Sequence, residues 1–377
     1  MLMENPVQGT TPAQFGWYAG ECIRWGQGFC RRKSQERMNT RQLRSKVKNV
    51  IVPVLRLLVL LLFIITIAES NAGQPASPGR HKISFTSSFD GTAQPAYLII
   101  PKKYSSKGPG VALVVALHTW SATLDQRDMF GELEREAGKR GWLCLFPDFR
   151  GSSDHPLGCG SDAACCDVLD AVDWTMARYT IDKKSVYLAG FSGGAFMTML
   201  LIARFPERWT AASAWGGISD LKAWYAFQVR HHYSADMRNC FGGAPGESTE
   251  ISQRYEERSP VNRLSAAGDF PIDLVAGRGD GHGADPVPIA QTIGAFNAIA
   301  QALGANRISE EEMRELSPYS GALLNPQPQD TAADAIFKRK IMLRRTAGAA
   351  RITIFDGRHE WIPRAVMTWF DHHPGKQ

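Results

Sequence analysis

Residues 185–203 read Ser185-Val186-Tyr187-Leu188-Ala189-Gly190-Phe191-Ser192-Gly193-Gly194-Ala195-Phe196-Met197-Thr198-Met199-Leu200-Leu201-Ile202-Ala203. A short apolar run comes first, then a G-x-S-x-G turn, then an apolar stretch long enough for a helix. Strand, tight turn and helix with serine at the tip form a nucleophile elbow. The glycines are steric: side chains flanking the serine would collide with the strand or the helix. A serine so exposed implies attack on a carbonyl. It also requires a carboxylate and a histidine further along, in the order Ser, Asp, His.

Outward from this stretch the chain alternates. Ile83–Phe89 and Tyr97–Ile100 flank Asp90-Gly91, a hairpin signal. Val111–Leu117 and Trp142–Phe146 are continuous apolar runs, as expected of strands buried on both faces. Thr210–Ala214, Ile272–Ala276 and Arg351–Phe355 read as further strands. Met129–Arg140, Asp162–Tyr179 and Val287–Leu303 carry helical spacing between them. This alternation predicts an α/β fold with a mostly parallel central sheet and helices on both faces. Two stretches break the rhythm. Residues 217–270, with Trp224, Tyr225, Phe227 and Tyr233, are expected to form a cap insertion or lid; residues 304–348, polar and rich in Pro and Gly, are a second insertion. No internal repeat is present, which excludes a propeller. The domain is expected over 83–373, after a linker at 72–82.

The serine needs a base, and the base needs a carboxylate to orient it and balance its charge. Among nine histidines, His359 follows directly on the last strand-like run, in Asp356-Gly357-Arg358-His359-Glu360, with His372 and His373 left in the tail, and is the expected base. Two acids compete after Ile272–Ala276. Asp280 stands just past the strand end in Gly277-Arg278-Gly279-Asp280; Asp285 stands five residues later, before Pro286-Val287-Pro288. Asp280 is preferred because an orienting carboxylate belongs near the strand terminus, and Asp285 is the alternative. A tetrahedral oxyanion needs two aligned donors. The Gly193 amide is one. The other is expected from His118-Thr119-Trp120-Ser121, with the Trp120 amide first and that of Thr119 second, and His118 as an orienting residue. Arg150 and Arg278 are weaker candidates for binding an acidic group of the substrate. No C-x-x-C or H-x-x-x-H spacing points to a metal, and no cofactor is implied.

The charge is unevenly placed. The formal net charge of +6 is carried by residues 1–71, where Arg24, Arg31, Arg32, Lys33, Arg37, Arg41, Arg44, Lys46, Lys48 and Arg56 face only Glu4, Glu21, Glu36 and Glu69; the remainder is neutral. The body therefore has no basic footprint for nucleic acid. Leu57–Ala68 is apolar apart from Thr66. A basic flank precedes it and Glu69-Ser70-Asn71-Ala72 follows, the pattern of a secretory signal. Export to a periplasmic or extracellular space is expected, with translation starting at Met38. The alternative is an uncleaved anchor, the one route to a membrane, although Pro53 and Arg56 interrupt the about 20 apolar residues a span needs. Of seven cysteines, Cys144 reads as a buried thiol, and Cys240 pairs with Cys159 or with Cys165/Cys166 if a disulfide forms.

These residues resemble the α/β-hydrolase family, and more narrowly the catalytic domain of the prolyl oligopeptidase-like serine hydrolases, over roughly residues 83–370. The resemblance is carried by Phe146-Pro147-Asp148-Phe149-Arg150-Gly151, Tyr187–Gly194, Gly277-Arg278-Gly279-Asp280 with Val287-Pro288, and Gly357-Arg358-His359-Glu360. It implies an α/β-hydrolase fold and carries nucleophile, acid and base onto Ser192, Asp280 and His359. The acid loop is longer than usual, Gly-Arg-His replaces Gly-Gly-His, and no propeller restricts access. Exported single-domain relatives of this kind are similar to carbohydrate esterases and polyester depolymerases. The expected activity is cleavage of an ester or peptide bond in a small-molecule, saccharide-ester or peptide substrate through an acyl-enzyme; the alternative is a non-catalytic binding module on a hydrolase fold.

Overall fold

The computed structural model describes residues 77–229 and 233–375. The basic extension and signal segment, the start at Met38, and His231 and His232 lie outside the described residues. An antiparallel hairpin comes first, β1 (Gly79–Thr86) and β2 (Ala93–Ile100), with Thr86 opposite Ala93. Strands and helices then alternate: β3 (Val111–Leu117), α1 (Arg127–Arg140), β4 (Leu143–Pro147), α2 (Asp162–Arg178), β5 (Ile181–Phe191) and α3 (Gly193–Arg204). After β6 (Ala211–Trp215) come α4 (Leu221–Gln228), α5 (Tyr233–Phe241) and α6 (Thr249–Arg258). The chain continues through β7 (Ile272–Gly277), α7 (Ile289–Ala302), α8 (Glu310–Leu316), β8 (Ile341–Ala347), β9 (Ala350–Phe355) and α9 (Pro363–Asp371).

The sheet order is β1-β2-β4-β3-β5-β6-β7-β9-β8. Pairing is parallel from β4 through β3, β5, β6 and β7 to β9, and antiparallel where β1, β2 and β8 form the edges. This is the mostly parallel sheet that the apolar runs predict. Side chains alternate across a strand, so each buried strand feeds two cores. Leu113, Val115 and Leu117 join one cluster with Val168, Leu200 and Phe296 of α2, α3 and α7. Val114 and Ala116 join the other with Phe130 and Leu133 of α1 and Val366 and Phe370 of α9. Helices thus cover both faces. α3 is buried from Gly193 through Ala203, which explains why its sequence lacks a polar stripe.

Two local features differ from expectation, and a third decides between stated options. The stretch 304–348, read as an insertion, ends in β8, which pairs antiparallel with β9. Its Arg344 and Arg345 hide the strand pattern, because they turn to Asp334 and to Asp330 and Glu312. The stretch 217–270 is helical and carries the expected cap aromatics, but Trp224 is buried core, edge-on to Trp120 at 4.9 Å between rings. Of the disulfide options, Cys159–Cys240 forms, tying the loop before α2 to α5. Cys144, Cys165 and Cys166 are free thiols, Cys144 fully buried.

Candidate active site

The residues singled out from the sequence lie just past the carboxyl ends of parallel strands, where open α/β sheets place their sites. Ser192 follows β5, His118-Thr119-Trp120 follows β3, Asp280 follows β7 and His359 follows β9.

The turn at Ser192 is strained. Its φ of 56° and ψ of −119° are left-handed and costly for a residue with a side chain. The Ser192 amide donates to the Trp215 carbonyl (2.8 Å), and the Ser192 carbonyl accepts from the Phe196 amide (3.0 Å), so strand β6 and helix α3 hold it from both sides. A Cβ at Gly190 would lie 2.1 Å from the Gly194 carbonyl oxygen, and one at Gly194 would lie 2.1 Å from that of Leu117. The elbow is therefore too crowded for any residue but glycine at both places.

The acid and base loops are laced together. The Arg278 amide donates to the Phe355 carbonyl (2.7 Å) and the Gly279 amide to that of Gly357 (2.8 Å), continuing the β7–β9 pairing beyond the strands. This brings His359 Nδ1 to 2.6 Å from Asp280 Oδ2. Asp280 Oδ1 accepts from the amides of Gly281 (2.9 Å) and Val287 (3.0 Å), so both carboxylate oxygens are held. Burial pushes the Asp280 carboxyl above its ordinary value, while the hydrogen bond from His359 works against that rise. With Nδ1 donating to Asp280, Nε2 of a neutral ring is left as the acceptor. The Phe191 ring, next to the serine, packs on the His359 ring at 4.6 Å. Gly216 closes the site from behind: a Cβ there would meet Asp280 Oδ2 and His359 Nδ1 and Cε1, each at 3.1 Å. Sequence reasoning passed over Gly216; its signal was the Gly216-Gly217 pair directly after a strand.

Asp285 is occupied elsewhere. Its Oδ2 accepts from Arg358 Nε at 2.6 Å. The pair bridges the two loops but leaves His359 to Asp280.

Gly193 is pressed against the loop after β3. A Cβ on it would lie 2.3 Å from the Trp120 backbone nitrogen. The Thr119 amide is engaged by Gln126 Oε1 at 3.1 Å. The Gly193 amide, in the first turn of α3, has no acceptor within its own helix. His118 is buried and stacked on Phe149, with ring centres 4.0 Å apart. Its Nε2 lies 2.8 Å from the Asp148 carbonyl and its Nδ1 2.9 Å from that of Thr119, whose peptide group contains the Trp120 N–H. A neutral ring donates to one of these two carbonyls, and either bond fixes the ring against the loop after β3. Burial pushes its imidazole pKa down.

The two arginines considered for substrate binding are committed to the fold. The Arg150 side chain is buried and pairs with Asp90 and Asp167, each at 2.7 Å, locking the β1–β2 turn to α2. Arg278 pairs with Asp356 (2.6 Å) and donates to the Gly321 carbonyl (2.8 Å). The Arg278 Nη1 and Nη2 groups are thus taken up by the protein itself, as are Nε, Nη1 and Nη2 of Arg150. Among the described residues, no group of three or more His, Cys, Asp or Glu side chains could hold a metal ion.

Residues 137–303, from the end of α1 past the elbow and acid loop into α7, match the model of the prolyl oligopeptidase family. The fold and this match are those of an α/β-hydrolase serine hydrolase. In sequence it is similar to a probable acetylxylan esterase A of Neosartorya fischeri, at 29% identity over 36% of this chain and 38% of the relative. It is also similar to a feruloyl esterase B of Talaromyces stipitatus, at 26% identity over 44% of this chain and 42% of the relative. In structure it is similar to acylaminoacyl peptidase of Pyrococcus horikoshii, with a TM-score of 0.55 at 14% identity, over 80% of this chain and 42% of the peptidase. The matched regions thus span about two fifths of each relative's length.

Proposed function

We propose that this serine hydrolase cleaves a carboxylic ester through an acyl-enzyme formed on Ser192. The observation that carries the reading is the His359 Nδ1–Asp280 Oδ2 hydrogen bond of 2.6 Å, at the strand ends beside a left-handed serine. In the first step His359 Nε2 takes the Ser192 hydroxyl proton as Oγ attacks the acyl carbonyl. Asp280 holds the imidazolium that results. The amides of Gly193 and Trp120 receive the developing oxyanion, which preorganised donors stabilise without reorganising. His359 then returns the proton to the leaving alcohol. In the second step His359 activates water, which attacks the acyl-enzyme and frees the acid and Ser192.

Ester is favoured over peptide because the sequence relatives are named as acetylxylan and feruloyl esterases. The peptidase likeness rests on fold, at 14% identity. Export is part of the proposal. Its support is the signal-like pattern at Leu57–Ala68 and the Cys159–Cys240 disulfide, a bond suited to an oxidising compartment. A panel of acetyl esters, hydroxycinnamoyl esters and X-Pro amides tests the reading. Turnover of esters with little amide cleavage is expected. Faster cleavage of the amides would replace the esterase with a peptidase.

A further inference from the structure

The loop that joins β4 to α2, residues 148–161, is strained at both ends. Phe149, Arg150 and Gly151 open it at φ of 34°, 77° and 71°, and Cys159 and Gly160 close it at 50° and 68°. Left-handed backbone at residues with side chains persists only where surrounding contacts over-determine it. The opening end is held by the Arg150 ion pairs. The closing end is held by the cap. The disulfide joins Cys159 to Cys240 of α5. Arg258, the last residue of α6, places Nη1 3.4 Å from the carbonyl oxygens of Pro156 and Cys159 and 3.5 Å from that of Gly158. Between its ends the loop touches the proposed site. The Ser153 amide donates to the Trp120 carbonyl at 2.7 Å, and the Ser153 carbonyl oxygen lies 3.3 Å from Cys240 Sγ. One residue, Ser153, thus stands between the disulfide and the residue whose amide is the proposed oxyanion donor. From the same cap, Trp224 packs edge-on to the Trp120 ring.

We propose that the cap is a fixed buttress of the oxyanion hole rather than a lid, with the Cys159–Cys240 bond and Arg258 as positioning groups. This rests on the reading above, in which the Trp120 amide is a donor to the oxyanion. Such a donor works only if it is aimed before the charge develops. Trp120 is held by its carbonyl and by its ring, and both holds trace back to cap residues. Without the crosslink, the left-handed Cys159 loses the contact that over-determines it, and the loop relaxes and draws the Ser153 amide away from Trp120. The packing of the cap agrees with a fixed role. Trp224, Phe241 and Tyr255 are buried in the same cluster as the strand residues Leu113 and Leu117, and a lid would expose them to water each time it opened.

The test removes the crosslink with Cys159→Ala/Cys240→Ala in the full chain and reads kcat, KM and the binding of a trifluoromethyl ketone. Ser192 Oγ adds to the ketone carbon, the hydroxyl proton passes to His359 Nε2, and the former carbonyl oxygen becomes an oxyanion in the hole. Rates are taken per site titrated with a fluorophosphonate, so unfolded chains do not count. A kcat lower by about 10–100-fold is expected, with KM within a few-fold of wild type. Ketone affinity should weaken by the same factor as kcat, a change that a merely stabilising bond would not produce. Arg258→Met keeps the disulfide, and so serves if the double variant does not fold; it should move both readouts the same way by less. Arg258→Lys, which keeps a donor, should recover most of that loss. A crosslink-free enzyme with wild-type kcat and ketone affinity overturns the buttress and leaves the esterase standing. A loss carried by KM, with ketone binding unchanged, also overturns it, because the cap would then be touching substrate. If the wild type cleaves amides and no ester, the esterase reading fails, and the same comparison on an amide decides the buttress.

Discussion

At the residue scale, the two aspartates make opposite predictions. Asp280 orients His359, so Asp280→Asn should lower kcat by about 10⁴-fold, the loss expected when a base is held in the wrong tautomer. Asp285 holds an exposed arginine, a pair of little energetic weight, so Asp285→Asn should keep kcat within a few-fold of wild type. Ester hydrolysis by the two purified variants checks both. Stability should move the other way for Asp280. Burial raises its native carboxyl above the ordinary 3.8, so the folded chain holds that proton to higher pH than the unfolded chain does. Stability is then lost as pH rises from 3.8 through the raised native value. Asp280→Asn removes this cost and should melt higher than wild type at neutral pH, with the advantage shrinking toward about pH 4. Equal melting temperatures across that range would mean that the charged carboxylate is fully compensated. The candidate residues were legible because each follows an apolar run, and Ser192, Asp280 and His359 each lie within two residues of a glycine. Gly216 was passed over, since its need for glycine comes from Asp280 and His359, which lie far along the chain.

At the scale of elements, the Cys159–Cys240 bond closes a loop across 81 residues and ties the segment before α2 to α5 in the cap. Its removal by Cys240→Ser should cost about 2–5 kcal/mol, read as a lower midpoint in denaturant. Unchanged stability on mild reduction would mean that the cap is held by its apolar contacts alone. The central strands β3, β4, β5, β6 and β7 were legible because strands buried on both faces read as unbroken apolar runs. β8 was not, for the opposite reason. It is an edge strand whose sequence, Ile341-Met342-Leu343-Arg344-Arg345-Thr346-Ala347, turns polar halfway, and its arginines find carboxylates in the preceding polar stretch. The hairpin β1–β2 starts earlier than its apolar run suggests. Its turn is fixed by Arg150 through Asp90 and through the Ser87 hydroxyl, which also donates to Asp167, contacts that arise far along the chain.

At the scale of the whole molecule, the proposal is an esterase that acts outside the cytoplasm. Amino-terminal sequencing of the protein recovered after export should begin at Asn71 or Gly73, after the small pair Ala68/Ser70 or Ser70/Ala72; an intact Leu57–Ala68 segment on the active protein would favour the anchor. The central claim is that Ser192 is the nucleophile, fixed by a fold that spends backbone strain to present it. A fluorophosphonate probe, followed by peptide mapping in a mass spectrometer, tests this most directly. Modification of Ser192 in the wild-type chain, absent from Ser192→Ala and strongly slowed in Asp280→Asn, is the predicted result. A folded wild-type protein that takes up no probe, or takes it up at another residue, would contradict the account and leave a hydrolase fold used for binding.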